Sequence, residues 1–333
     1  MKYSIIVPVF NRPDEVDELL ESLTHQTLKD FEVVIVEDGS QKTCKDVCDK
    51  YAGILPLCYY YKENSGPGQS RNYGVERAHG DYVVIIDSDA VAPEGYLQAI
   101  DDELRRQPSD AFGGPDAAHE SFTTVQKAIS YSMTSFFTTG GIRGGKKQME
   151  KFHPRSFNMG VRREVYLKLG GFSPMRFSKM SLYGEDIDFS IRIFKNGYSC
   201  RLFPEAWVWH KRRTDFKKFW RQVYNSGLAR INLYKKYPEA LKLVHALPAV
   251  FTVGVAFLLV CSLLTALSPQ TAHLSVLFLV PIILYSLLIL IDSSIRNRSL
   301  IVGLVSVPSS FVQLIGYGVG FLEAWWQRCV LRK

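Results

Sequence analysis

The sequence predicts an α/β domain followed by an α-helical membrane domain. Three observations carry that prediction. Short β-branched runs alternate with helix-like segments from Tyr3 to about His210, the order that builds a largely parallel sheet. One of these runs, Tyr82–Ile86, is apolar without alternation, as a strand buried on both faces must be, and it stops at Asp87-Ser88-Asp89. Beyond Pro238 the composition shifts to apolar runs of membrane-spanning length, about 20 residues.

The 333 residues suffice for one large domain or two smaller ones. A net charge of +7 raises nucleic acid as a partner, but the basic excess lies between Arg201 and Lys242, directly before the apolar part. That placement fits anionic membrane lipids and argues against nucleic acid. Ser4–Phe10 is too short for the core of a secretory signal and contains Pro8, so the first domain is expected in the cytoplasm. The six cysteines are scattered, one inside an apolar span, and fit neither a disulfide framework nor a zinc site.

Tyr3–Phe10 reads as the first strand, and Asn11-Arg12-Pro13-Asp14-Glu15 then combines a cap, an early proline and two acids that start a helix. Phe31–Val36 is a second strand ending in Glu37-Asp38-Gly39-Ser40. An acid at that place reads the base or ribose of a nucleotide, or simply makes a turn. After a helix over 43–51 and a strand over 57–61, Asn64–Gly74 is a glycine-rich loop opening into a helix. Its backbone N–H groups and Arg71 favour phosphate, a weak signal alone that gains weight from the strand following it.

Side chains of an extended segment repeat every two residues, so Asp87 and Asp89 are expected to point the same way as they leave the sheet. Two adjacent carboxylates repel unless a cation lies between them, which suits Mg²⁺ or Mn²⁺ carrying a phosphorylated ligand; the alternative is that both cap a turn. After a helix near 93–107 and a short strand at Ala111–Pro115, periodicity weakens from Asp116 to Arg155. The basic loop Gly140–Lys147 reads there as a lid or as a surface excursion. A strand at Phe157–Val161 precedes Tyr183-Gly184-Glu185-Asp186-Ile187-Asp188, a helix start with three carboxylates. They complement the helix dipole, or one of them accepts a proton. His210 ends the last short strand, where it completes a metal site or merely packs.

Together these segments resemble the inverting family 2 glycosyltransferases of GT-A fold, a Rossmann-like nucleotide-diphospho-sugar transferase architecture. The resemblance rests on Val7–Arg12, Glu37–Ser40, Asn64–Gly74, Asp87–Asp89 and Gly184–Asp186, in an order covering most of residues 1–210. It implies that Pro8, Phe10, Asn11, Arg12, Asp38, Gly66, Arg71, Asp87, Ser88 and Glu185 bind the nucleotide-sugar donor, with Asp38 on the nucleobase, most often uracil. It further implies that Asp87, Asp89 and His210 hold Mg²⁺ or Mn²⁺, chiefly through Asp89, and that Asp186 is the catalytic base. Many relatives have Asp where this chain has Glu37. Processive polymer synthases carry Gln-x-x-Arg-Trp where this chain has Gln222 followed by Asn225 and Ser226, which favours addition of one sugar per encounter.

The expected domains are 1–212, the catalytic domain; 213–240, an amphipathic interface helix; and 241–333, with spans near 247–267, 274–291 and 300–326. The third span is interrupted by Pro308, Gln313 and glycines, so a bent or re-entrant segment competes with a full crossing. The function expected is a multi-pass enzyme of the plasma membrane moving a sugar, as from a UDP-sugar, to a hydroxyl of a lipid-linked saccharide in cell-surface polysaccharide synthesis. Its rivals are a polyprenyl-phosphate glycosyltransferase and a non-catalytic nucleotide-sugar-binding assembly protein.

Overall fold

A computed structural model describes residues 1–117, 122–140, 152–174 and 184–331. The expected basic loop lies almost wholly outside them. The chain divides into two compact units, and their boundary in the second half falls between Lys211 and Arg212.

The first unit alternates β1 (Tyr3–Val9), α1 (Pro13–Thr24), β2 (Phe31–Asp38), α2 (Lys45–Tyr51), β3 (Leu57–Lys62), α3 (Pro67–Arg77) and β4 (Tyr82–Ile86). It continues with β5 (Ala90–Val91), α4 (Tyr96–Arg106), β6 (Ala111–Gly113) and β7 (Asp116–Ala117). The main sheet has seven strands in the order β3-β2-β1-β4-β8-β6-β9, where β8 is Asn158–Arg162 and β9 is Cys200–Leu202. All its strands run parallel except β8, which pairs antiparallel with both β4 and β6. Every residue of β2 is buried, and β1 and β4 are nearly so, because helices cover both faces: Leu19, Leu20 and Leu23 of α1 pack on one side and Val75 of α3 on the other.

Helix α7 (Arg163–Lys168) follows β8, and α8 (Glu185–Lys195) packs Phe189 and Ile193 onto the face that also holds Val75. A second sheet of three short strands, β5-β10-β7, contains β10 (Val208–His210). Pairing in it sets His210 opposite Ala90, one residue past Asp89. The two-residue strands β5 and β7 have no sequence period to betray them.

The second unit holds α5 (Thr124–Thr134), α6 (Phe136–Thr139), α9 (Phe216–Lys236), α10 (Leu247–Ala266), α11 (Ser275–Asn297) and α12 (Leu300–Trp325). The sequence reading runs its first domain unbroken to 212, whereas α5 and α6 belong to this second unit: Ile129 and Met133 form a cluster with Phe219 and Val223 of α9. Helix α12 is continuous through Pro308. Its glycines are packing surfaces rather than breaks. A Cβ at Gly316 would strike Val223, one at Gly320 the carbonyl of Tyr224, and one at Gly318 the backbone of Pro248. Helix α9 accordingly buries its apolar face along α12, while Trp220 is more than a third exposed. Among the described residues, three helical stretches are long and apolar enough to cross a membrane: Leu247–Ala266, Ala272–Asn297 and Leu300–Val330.

Candidate active site

The site is built at the carboxyl ends of β1, β2 and β4, where an open α/β sheet leaves a crevice. Strand β4 ends at Ile86, and the chain turns at once, Ala90 N–H donating to the Asp87 carbonyl at 3.0 Å. Asp87 and Asp89 therefore do not lie on an extended strand, as the two-residue period implies. The turn and the β5–β10 pairing bring them together with His210 instead. Ligand atoms of Asp87, Asp89 and His210 all lie within 4.8 Å of one another. Two carboxylates and an imidazole form a donor set suited to Mg²⁺ or Mn²⁺. Phe157 stacks on the His210 ring at 4.8 Å, and its carbonyl accepts the Asp87 N–H, which fixes the imidazole plane.

Each carboxylate has a cationic neighbour. Arg71, buried on α3, donates to Asp87 Oδ1 at 2.7 Å. Asp89 is bonded through Oδ1 to His210 Nε2 at 3.1 Å and through Oδ2 to Arg12 Nη1. Burial opposes ionisation of Asp89, but His210 and then Arg12 outweigh it and hold the carboxyl well below its usual range. Ser88, between the two aspartates, is buried.

Asp38 ends β2, and its carboxylate is held by Lys62 Nζ at 2.5 Å and by the N–H groups of Ser65 and Gly66 at 2.9 Å each. These contacts tie it to the glycine-rich loop. Lys62 also donates to the Ser65 hydroxyl at 2.6 Å. Gly39, at φ +70°, admits this arrangement, since a Cβ there would sit 2.7 Å from the Asn64 nitrogen. Glu37 points into the core, where its carboxylate accepts from the Ser40 hydroxyl and from the Cys44 N–H, a structural role. Asn11, in left-handed backbone at φ +55°, accepts the Gln41 and Lys42 N–H groups at 2.8 and 3.0 Å and so joins the loops after β1 and β2. Pro8 lies within β1, and Phe10 just past it is half exposed.

Helix α8 begins beside the first turn of α3. A Cβ at Gly68 would strike the Glu185 carboxylate, so the absence of a side chain lets the two helix starts touch. Glu185 is buried, and burial, only partly offset by Arg71, pushes its carboxyl up to about 7. Asp186 accepts the Ile187 N–H at 2.9 Å and has Arg155 at 3.5 Å. Asp188 is fully buried against Arg192 at 3.0 Å. Two participants escaped the sequence reading. Lys62 is a lysine ending β3 in register with Asp38, a signal available as opposite charges at the carboxyl ends of neighbouring strands. Arg155 lies where periodicity fails and gave none.

The profile of glycosyl transferase family 2 matches residues 4–170, half of the chain, including β1, the glycine-rich loop and Asp87–Asp89. The chain belongs to that family. A glycosyltransferase of Haemophilus influenzae is 29% identical over 199 residues, 58% of this chain and 62% of the relative. The glucosyl-dolichyl phosphate glucuronosyltransferase of Haloferax volcanii is 26% identical over 252 residues, 72% and 80% of the two chains. A Rickettsia felis glycosyltransferase, 31% identical over 137 residues, is matched over only 22% of its own length. Among solved structures, the mannosyltransferase PcManGT of Pyrobaculum calidifontis, in complex with GDP-Man and Mn²⁺, has a TM-score of 0.57 at 16% identity, covering 98% of this family 2 chain and 88% of its own. TarS of S. aureus, with UDP-GlcNAc, has a TM-score of 0.51 at 21% identity over 70% and 67%. The family 2 domain thus has the GT-A fold, with three apolar helices of membrane-spanning length after it.

Proposed function

We propose that this family 2 glycosyltransferase is an inverting, metal-dependent enzyme that moves a sugar from a nucleotide donor to a hydroxyl of a lipid-linked saccharide at the cytoplasmic face of a membrane. The observation that carries this reading is the convergence of Asp87, Asp89 and His210 at the end of β4, beside the glycine-rich loop. Asp87, Asp89 and His210 would hold the cation, which supplies positive charge against the departing diphosphate when bound. The loop N–H groups and Arg71 add fixed positive potential for the same phosphates.

Inversion is one displacement. The acceptor oxygen forms its bond to the anomeric carbon, the bond from that carbon to the diphosphate oxygen breaks, and the electron pair leaves with the nucleoside diphosphate. The acceptor proton goes to a carboxylate, assigned to Asp186 on the first turn of α8. Asp38 and Lys62 order the loop on the nucleobase side, and Arg12, Asn11 and Phe10 complete the donor side. The three apolar helices, together with an apolar cleft of about 200 Å³ among α10, α11 and α12 lined by Phe251, Tyr285 and Phe311, support a membrane-borne acceptor. The Haloferax relative, whose name states a glycosylated lipid phosphate as its acceptor, points the same way.

The test is a panel of nucleotide sugars, UDP- and GDP-linked, given with Mn²⁺ to the purified full chain and a lipid extract. Metal-dependent transfer to a lipid-linked saccharide is expected. Product that mild acid releases as a single sugar from a lipid phosphate would mean that the phosphate itself is the acceptor. Nucleotide binding without turnover on any acceptor would mean a binding protein.

A further inference from the structure

The cation-binding reading leaves one arrangement unexplained. Both oxygens of Asp89 are already engaged, Oδ1 by His210 and Oδ2 by Arg12, and Asp87 is engaged by Arg71. A divalent cation approaching this cluster meets two guanidinium groups that already neutralise the two carboxylates. It also competes directly for the Asp89 lone pairs.

The two arginines are not equivalent. Arg71 is buried on a helix, with its guanidinium also 5.3 Å from the Phe172 ring, and its side chain is only 7% exposed. Arg12 stands where the chain leaves β1, ahead of Pro13, with its side chain 33% exposed while that of Asp89 is 10% exposed. Arg12 is thus the partner that can leave without opening the core. Its fork matches a phosphate as well as a carboxylate, so a diphosphate arriving at the site offers it a second home.

Resting on the reading of this cluster as a divalent-cation site, we propose that Arg12 is a resident counter-ion of Asp89 that must be displaced before the cation binds. The cation and the nucleotide diphosphate then bind as a pair: the cation takes Asp89, and the diphosphate takes the released guanidinium. Without the diphosphate, Arg12 has no better partner than Asp89, and the cation binds weakly. Arg12 is in these terms a positioning residue that couples two ligands, and the coupling is reciprocal.

The experiment measures Mn²⁺ affinity of the full chain in detergent by electron paramagnetic resonance of free Mn²⁺, alone and with saturating UDP or GDP. The wild-type protein is expected to bind Mn²⁺ roughly tenfold tighter with the nucleotide that fits, within the usual range of coupling between ligands. Arg12→Met is expected to bind Mn²⁺ alone about tenfold tighter than wild type, with the nucleotide enhancement reduced to near unity. Arg12→Gln, which keeps much of the stem and a polar end, gives the same result should the methionine variant melt early.

Unchanged or weaker Mn²⁺ binding in a folded Arg12 variant, with wild type still binding through Asp89, overturns the counter-ion role and leaves the metal site intact. Wild-type protein that binds no Mn²⁺ with either nucleotide, or an Asp89→Asn variant that binds as well as wild type, overturns the metal site and the counter-ion role together.

Discussion

Two groups of carboxylates stand in the first unit, and they are handled in opposite ways. Asp87 and Asp89, at the exit of β4, are each matched to an arginine, and Asp89 to His210 as well. Glu185, Asp186 and Asp188 start α8, where only Asp188 has a tight side-chain cation, Arg192; Arg155 stands 3.5 Å from Asp186, and Glu185 is shut away from water without an ion pair among the described residues. The difference teaches that burial alone does not fix the charge of an acid. Asp89 and Glu185 are about equally inaccessible, yet one carboxyl is held below its usual range and the other is pushed up to about 7. The first group is suited to gather cations, and the second to exchange a proton.

The contrast breaks most sharply at the level of turnover. Asp186→Asn is expected to lower kcat by about a thousandfold, the usual scale for a general base, with donor affinity nearly unchanged in calorimetry. Asp89→Asn is expected to lose metal-dependent donor binding as well as transfer. An active Asp186→Asn enzyme would show that the proton goes elsewhere, with Glu185 the next group to examine.

Stability separates the groups next. Arg192→Met removes the arginine that pairs with buried Asp188 at 3.0 Å and frees the carbonyls of Leu169 and Gly171, to which Arg192 donates at 2.6 and 2.5 Å. Losing one side of a buried pair costs about 3–5 kcal/mol, so the melting temperature of the first unit falls by several degrees. A melt indistinguishable from wild type would mean that Asp188 is satisfied without the arginine.

A finer test uses pH. Burial raises the Glu185 carboxyl from an ordinary 4.5 to about 7, so the folded chain keeps this proton after the unfolded chain has lost it. Stability from this group is greatest below about pH 4.5 and declines as pH rises through 7, by about 3 kcal/mol in total. Glu185→Gln, neutral throughout, is expected to flatten that decline in thermal melts of metal-free, donor-free protein between pH 5 and 8. An equal slope in both proteins would place the titration on another group. The smallest effect is expected at Lys62→Met, which removes a cation from the Asp38 loop. Donor binding should weaken about tenfold with kcat little altered, because the backbone N–H groups of Ser65 and Gly66 still hold Asp38.

Much of this was legible in the sequence for physical reasons that can be named. Strands buried on both faces write an unbroken apolar run, so β1, β2 and β4 and the acids that end two of them were readable. Helix α5 was not, since it buries Gln126 and Ser132 alongside Ile129 and thereby blurs the 3.6-residue period. The continuity of α12 was obscured because glycine and proline are read as helix breakers, whereas here glycine admits the close approach of α9 and α10. The site residues were readable as types, but not the pairing of Arg12 with Asp89. Those residues are far apart in the chain, and only the parallel register of β1 and β4 makes them neighbours.

The bare Cα of Gly68 has a consequence of its own. The glycine-rich loop and the start of α8, to which phosphate binding and proton acceptance are assigned in the proposed mechanism, share a party wall that is bare on the Gly68 side only, so a methyl group added there would press on the Glu185 carboxylate. An alanine at this position would act as a wedge felt in both rooms. It is expected to blunt donor capture and hydroxyl activation together, and a shorter side chain at position 185 is expected to relieve both.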